Sequence, residues 1–126
     1  MKSSRRPGLL TEKELPIMNA LWERGPLFVR EIVASLPEPR PHQNTVATLV
    51  KILEEKGHVA HEALGNSFRY HAVTPRQVVR ERSLRDVVSN FFNNSYKAAV
   101  SALVAEEKVS VEELREIIDM IEKKNK

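Results

Sequence analysis

HQNTVATLVKILEEKG, residues 42–57, is the stretch that decides the fold. Its apolar residues recur at i, i+3, i+4 and i+7, which predicts a helix with one buried face: Val46, Leu49, Val50 and Leu53. Gly57 is predicted to end this helix, as glycine commonly does. At about 100° per residue, three polar side chains project opposite the apolar face, namely Asn44, Thr48 and Lys51. The stretch therefore combines a core face with an exposed polar face.

Two more amphipathic helices are predicted before this stretch. The first starts at Thr11, which can form a capping box with Glu14, and ends at Gly25-Pro26, with a local kink at Pro16. Its apolar face is Leu15, Met18, Leu21 and Trp22. After a short extended piece at 27–28, the second helix has its own apolar face: Val29, Ile32, Val33 and Leu36. Three prolines, at positions 37, 39 and 41, end it.

A β-hairpin is predicted after the third helix, because the apolar period changes at this point. Residues 58–64 and 67–73 form its strands around Gly65-Asn66, a pair that allows a tight turn. Phe68 and Tyr70 are expected to pack this hairpin onto the core rather than to stack on nucleobases. The order of helix, short strand, helix, helix and hairpin is that of a winged helix-turn-helix. The fold class is therefore mainly α with a small β-hairpin.

The C-terminal part, residues 75–126, is predicted to be helical, with Thr74 capping its first helix and Pro75 at the first helical position. Asn93-Asn94-Ser95 interrupts it, and Ser110 with Glu113 predicts a second capping box. Its apolar positions are Leu84, Val87, Val88, Phe91, Phe92, Val100, Leu103, Leu114, Ile117, Ile118 and Ile121. Three short helices bury such stripes poorly on themselves, which favours a symmetric homodimer with these residues at its interface. The alternative is a monomer whose tail folds back on the N-terminal domain, residues 1–74.

Composition limits the classes of function. The 126 residues contain no cysteine, which excludes disulfides and cysteine-ligated metals. No apolar run approaches the roughly 20 residues that cross a bilayer, so no membrane insertion is expected. The basic start, residues 1–6, lacks a following signal-peptide core, and a cytoplasmic location is expected. Residues 1–80 carry 12 Lys/Arg against 8 Asp/Glu, whereas the remainder is close to neutral, which suggests a polyanionic partner for the front part.

The exposed polar face is suited to the DNA major groove. Asn can pair with an adenine edge, Thr with a base or a thymine methyl, and Lys with guanine or a phosphate. The predicted DNA-binding residues are Arg5, Arg6, Thr11, His42, Gln43, Asn44, Thr45, Thr48, Lys51, Asn66 and Arg69. For two of these sites an alternative stays open. Arg69 either reaches a phosphate or pairs with Glu62 across the hairpin. Arg5 and Arg6 either contact the DNA backbone or are expected to be simply disordered.

No enzyme or metal protein is indicated. The four histidines are at positions 42, 58, 61 and 71, and His58 and His61 point to opposite faces of a strand, so they cannot chelate together. Nucleophile-elbow, zinc-protease and nucleotide-binding glycine motifs are absent, and neither a cofactor nor catalysis is expected. The competing function is a winged helix that docks proteins without binding DNA. The polar and basic residues on the third helix and hairpin favour DNA.

The sequence resembles the penicillinase-repressor family of bacterial transcriptional regulators from position 10 to the last helix. The matching pieces are Leu10-Thr11, Leu21-Trp22, Gly25-Pro26, Val29-Arg30-Glu31-Ile32, Asn44-Thr45-Val46, Thr48-Leu49, Glu55-Lys56-Gly57, Gly65, Phe68-Arg69-Tyr70 and Val100-Ser101-Ala102-Leu103-Val104. The resemblance implies a homodimeric repressor on a palindromic operator. It also implies, for antibiotic-responsive members, a membrane sensor protease that cleaves the repressor in its dimerisation helices.

Three positions depart from the pattern of the family. The Asn-Phe cleavage pair is replaced by Ala102-Leu103, and Asn90-Phe91 occurs one helix too early, so the cleavage site is not transferred. The cysteines of the copper-responsive branch are missing, which disfavours direct copper sensing. Asn44 stands where the family commonly has threonine, so a different operator is expected.

Overall fold

The structure is a computed structural model that describes residues 9–125. Arg5 and Arg6, two of the predicted DNA-binding residues, lie outside the described residues. The elements of the described part are α1 (Leu15–Arg24), β1 (Leu27–Phe28), α2 (Val29–Ser35), α3 (Gln43–Glu55), β2 (Val59–Leu64), β3 (Ser67–Ala72), α4 (Arg76–Phe91), α5 (Tyr96–Ala105) and α6 (Val111–Lys124). They confirm the predicted class, mainly α with a small hairpin.

The core of the N-terminal part is formed by the inward faces of α1, α2 and α3 together with the sheet. Its fully buried residues include Ile17, Met18, Leu21, Leu27, Ile32, Leu36, Val46, Val50, Leu53, Val59 and Tyr70. Each α3 residue in this set occurs at the predicted spacing. Burial of an apolar side chain contributes about 1.5–3 kcal/mol, so this shared core holds α3 with its polar face outward.

The start of α1 forms the predicted capping box. The Thr11 N–H donates to Glu14 Oε1 at 2.9 Å, and the Glu14 N–H donates to Thr11 Oγ1 at 3.2 Å. Pro16 falls in the first helical turn, where its missing N–H is tolerated. The prediction of Leu15 as a core residue is wrong, because it is 43% exposed and Ile17 takes the buried position.

The sheet has the order β1-β3-β2, with both pairs antiparallel. Leu64 pairs with Ser67, so the hairpin closes with a two-residue turn, and Gly65 there has a φ of +64°, as glycine does in type II′ turns. Tyr70 is buried as predicted. The prediction that Phe68 packs into the core is wrong: it is 48% exposed, because it lies nearer the hairpin tip, where its ring contacts that of His61.

Thr74, at the end of the N-terminal part, makes contacts that differ from the predicted helix cap. Its Oγ1 lies 3.2 Å from His58 Nδ1 and 3.4 Å from the Gly57 carbonyl, and its own carbonyl accepts the Trp22 Nε1–H at 2.8 Å. The Thr74 hydroxyl therefore contacts His58 and Gly57 and does not cap α4. Pro75 instead offers its carbonyl to the Val79 N–H at the start of that helix.

Residues 9–125 divide into two compact units, which meet between Glu81 and Arg82. The two units meet within α4 (Arg76–Phe91), because the first turn of this helix packs with the residues before it. Arg76 pairs with Glu23 at 3.1 Å and lies over the Trp22 ring at 5.3 Å.

The second unit contains most of α4, then α5 and α6. Asn93 and Asn94 have positive φ angles, which separates α4 from α5 as the sequence predicted. Ser110 and Glu113 form the predicted capping box at the start of α6. Among the described residues, no helix is both long enough and apolar enough to span a membrane.

Candidate nucleic-acid interface

The N-terminus of α3 is capped by a histidine. His42 Nδ1 accepts the Asn44 N–H at 3.1 Å, which satisfies one of the free donors of the first turn and requires an unprotonated Nδ1. Both residues are exposed. His42 therefore orients the backbone at the point where the predicted base-reading residues begin.

Asn44 and Thr48 form the outermost ridge of α3. Both are exposed, and the Thr48 hydroxyl donates to the Asn44 carbonyl at 3.0 Å, which fixes its orientation one turn along. The Thr48 methyl group and hydroxyl oxygen stay available to a partner. An amide followed one turn later by a threonine can contact two neighbouring base pairs in a major groove.

The remaining predicted residues of α3 lie on the two sides of this ridge. Gln43 and Lys51 face the hairpin and line a groove of about 310 Å³ between α3 and β3. Thr45 lies on the opposite side and lines a cavity beside the proline-rich connection and the start of α1. The structure thus brings Gln43 and Lys51 together and separates Thr45 from them.

The wing, defined as β2, β3 and their turn, carries Arg69 and Asn66. Arg69 Nη2 lies 2.6 Å from Glu62 Oε1, which is the cross-strand ion pair that the sequence left as one of two alternatives. The Arg69 side chain is 39% exposed and that of Glu62 is 55% exposed, and surface pairs of this kind contribute at most about 1 kcal/mol. A phosphate can therefore compete for Arg69. Asn66 is exposed in the turn itself.

Thr11 belongs to a network that the sequence did not predict. Glu14 is 2% exposed, and its Oε1 accepts the Thr11 N–H and lies 2.7 Å from Lys56 Nζ. Lys56 also donates to the Leu9 carbonyl at 2.9 Å. Burial alone would raise the pKa of Glu14, but the hydrogen bonds from Lys56 and Thr11 outweigh it and hold the pKa below 4.5. The network fixes the chain before α1 to the end of α3.

Two residues at the groove were also missed as site residues. Arg30 and Phe68 line the groove together with Lys51. In the sequence, Arg30 stands out only as part of a family motif, and Phe68 is predicted to lie in the core. Their exposure beside α3 depends on how β3 and α2 pack, which no local sequence signal reports.

The predicted interface residues of the second unit differ in exposure. Eight are exposed by 43–79%, a set that comprises Leu84, Val87, Phe91, Val100, Leu103, Ile117, Ile118 and Ile121. Phe92 and Leu114 are half-buried. Val88 is only 1% exposed within the single chain, so it has no surface left for a partner. Met120, 63% exposed, adds an apolar side chain that the sequence prediction omitted.

No group of three or more His, Asp or Glu side chains among the described residues is placed to hold a metal ion. His58 is buried beside Thr74, whereas His61 is exposed and pairs with Glu54 at 2.9 Å. His58 precedes β2, whereas His61 lies within it, so the two histidines have separate surroundings.

Comparison with known proteins identifies the family. The sequence profile described as penicillinase repressor matches residues 10–123. The chain belongs to the penicillinase repressor family. It is 22% identical over 114 residues to the penicillinase repressor of Bacillus licheniformis, covering 90% of this chain and 89% of that protein.

Two further relatives agree with this membership. The methicillin resistance regulatory protein MecI of Mammaliicoccus sciuri is 19% identical over 116 residues, covering 91% of this chain and 94% of that protein. The MecI protein of Staphylococcus aureus strain N315 is 18% identical over the same length. Family membership confirms the resemblance seen in the sequence and the winged helix-turn-helix, and it places the chain among DNA-binding transcriptional repressors.

Proposed function

We propose that this member of the penicillinase repressor family is a homodimer that binds a palindromic operator through α3 and thereby blocks transcription. The proposal rests mainly on the α3 ridge. Asn44 and Thr48 are exposed on it, whereas the opposite face of α3 is buried in the core. Residues 43–53 contain no Asp or Glu. This part of α3 can therefore approach the DNA phosphates without charge repulsion.

The N-terminal domain, residues 1–74, is proposed to bind DNA. Asn44 and Thr48 read bases, and Gln43, Thr45 and His42 contact the sugar-phosphate backbone around the start of α3. Arg69 and Asn66 of the wing, and Thr11 before α1, add backbone contacts. Arg5 and Arg6 are proposed to add charge from the N-terminal arm. Backbone contacts supply affinity, and base contacts supply sequence choice.

The tail, residues 75–126, is proposed to form the dimer interface. A symmetric interface would cover the exposed apolar residues of α4, α5 and α6 in both copies at once. Dimerisation also presents two recognition helices to a two-fold operator, with half-sites separated by whole helical turns. The proposed interface consists of the eight exposed apolar residues of the second unit, with the half-buried Phe92 and Leu114 at its edge. Val88 is buried within the unit and supports the interface residues from inside.

DNA binding is tested with the full-length protein and a fluorescent duplex from the region upstream of its own gene. We expect binding at least about a thousandfold tighter than to an unrelated duplex of the same length at physiological salt. The position of the operator follows from nuclease footprinting, which should protect two inverted half-sites. Equal affinity for both duplexes at every salt concentration would refute operator recognition, and no binding at low salt would refute DNA binding altogether.

Dimerisation is tested separately. Ile117→Asp places a charge on the exposed apolar stripe of α6, and Glu116→Gln on the same helix is the matched control. Sedimentation equilibrium should show wild type and control as dimers and Ile117→Asp as a monomer with an unchanged helical spectrum. A dimeric Ile117→Asp protein would show that the interface lies elsewhere.

The membrane sensor protease implied by the resemblance stays a prediction. Ala102 and Leu103, which replace the Asn-Phe pair of the family, lie within α5. Incubation of the repressor with such a protease, followed by mass spectrometry, would show whether this chain is cleaved and where.

A further inference from the structure

The groove between α3 and the wing is distinct from the base-reading ridge. One wall carries Gln43 and Lys51 of α3, and the other carries Ser67 and Phe68 of β3. Phe28 and Arg30, at the junction of β1 and α2, close one end. The groove is therefore bordered by three segments that are far apart in sequence and are brought together by the core.

The charged side chains that line this groove are all positive. Its lining contains two cations, Arg30 and Lys51, and no carboxylate. Every ion pair found in residues 9–125 involves other basic residues, so both cations are without a carboxylate partner in that part of the chain. The other two cavities beside α1, by contrast, contain Glu12 or Glu23. A single-sign groove concentrates anions.

Arg30 is held in place although it makes no ion pair with any of residues 9–125. Its guanidinium lies 5.2 Å from the centroid of the Phe28 ring, which is a cation–π distance. The neighbouring carboxylate, Glu31, is turned away to accept the Phe28 N–H at 2.9 Å. The guanidinium keeps its donors free for a tetrahedral anion, which arginine can bind with two hydrogen bonds.

We propose that one phosphate of the DNA backbone is bound in the groove between α3 and the wing by Arg30 and Lys51, with Gln43 and Ser67 as neutral donors. This inference rests on the proposed function and adds to it a contact outside the α3 ridge. The aromatic walls, Phe28 and Phe68, face the deoxyribose on either side of the phosphate. Lys51 thereby acts on the backbone and does not discriminate between bases.

The experiment measures fluorescence anisotropy of the full-length protein with two duplexes, the upstream DNA and an unrelated duplex, at several salt concentrations. Arg30→Ala is the test variant, and Arg30→Lys keeps the charge. Arg24→Ala is the matched control, because Arg24 is exposed in the same unit and is hydrogen-bonded to Ser35. Circular dichroism verifies that the variants are folded.

Arg30→Ala should weaken binding about tenfold on both duplexes alike, the loss of one charge-assisted hydrogen-bonded contact. The slope of log affinity against log salt should fall by about one, and Lys51→Ala should behave in the same way. Arg30→Lys should keep the slope, and Arg24→Ala should match the wild type.

Two results would overturn the proposal. An unchanged affinity and slope for Arg30→Ala, with wild type still bound to the upstream DNA, would show that no phosphate lies in the groove while operator binding stands. A loss confined to the upstream duplex would show that Arg30 reads a base. Failure of the wild-type protein to bind either duplex would refute the proposed function itself, and the groove contact with it.

Discussion

The ion pair between Lys56 and Glu14 offers a perturbation whose size and pH dependence both follow from the structure. Lys56→Met removes the charge but keeps the length of the side chain, and it leaves a carboxylate that is 2% exposed without its cation. Breaking a buried pair in this way costs about 3–5 kcal/mol. Because 26% of the Lys56 side chain is exposed, water takes over part of its interaction, and we expect a loss of about 2–3 kcal/mol in the free energy of unfolding at pH 7.

The pH dependence has a definite sign. In the wild type the folded-state pKa of Glu14 is lowered, so its contribution to stability is present above about pH 4.5 and is lost as pH falls through the folded pKa. In Lys56→Met the burial of Glu14 is opposed only by Thr11, and its pKa rises. The variant then gains stability on protonation where the wild type loses it. The difference between the two proteins should therefore shrink as pH is lowered from 7 to about 4.

Urea unfolding at pH 7, 5.5 and 4 is the assay, with fluorescence of Trp22, the single tryptophan, as the probe. Lys13→Met, on a neighbouring exposed residue, is the matched control and should cost less than about 0.5 kcal/mol. The double variant Glu14→Gln/Lys56→Met should be more stable at pH 7 than Lys56→Met alone, because it buries no unpaired charge. A loss that is independent of pH and unrelieved by Glu14→Gln would refute the reasoning and would assign the effect of Lys56 to its bond with Leu9.

Three further predictions concern the DNA face and its support. Asn44→Ala should weaken binding to the upstream duplex by about 1–3 kcal/mol and leave binding to an unrelated duplex unchanged, since a lost base contact affects only the specific site; an equal loss on both duplexes in an anisotropy titration would contradict base reading. His42→Ala removes the N-cap of α3 and should cost about 1 kcal/mol of stability in thermal unfolding, whereas His42→Asn, which can cap, should restore most of it. Trp22→Phe removes the hydrogen bond to the Thr74 carbonyl and should cost about 1–2 kcal/mol by circular dichroism, and a stability equal to wild type would show that this bond contributes nothing.

Local patterns predicted the elements of the fold because their causes are local. The i, i+3, i+4, i+7 spacing in α3 places one face inward whatever it packs against, and Val46, Val50 and Leu53 are buried accordingly. The Ser110–Glu113 capping box joins groups three residues apart. Gly65 closes the hairpin because it allows a positive φ. Each of these features needs no knowledge of a distant partner.

Features that depend on distant partners were missed or misjudged. Lys56 and Glu14 are 42 positions apart, and in the sequence each of them looks like an ordinary surface charge. Thr74 looks like a helix cap by its position before a proline, yet His58 and Gly57, which the hairpin brings close, take its hydroxyl. Phe68 alternates correctly on its strand, but the core ends before it. The same limit applies to the candidate site. Its α3 residues can be predicted from the sequence, whereas its groove depends on how distant elements pack together.

Five basic residues of the N-terminal unit differ in how a carboxylate holds them, and the difference bears on how a chain of formal charge +3 can bind DNA. Lys56 and Arg76 are held by carboxylates and fix the chain before α1 and the start of α4. Arg30 and Lys51 have no carboxylate partner in the described residues and share one groove. Arg69 is intermediate, because its partly exposed pair with Glu62 can be exchanged for a phosphate at a cost of about 1 kcal/mol. In the proposed mode of binding, affinity for DNA depends on which cations are left free beside α3, and total charge is a poor guide to it.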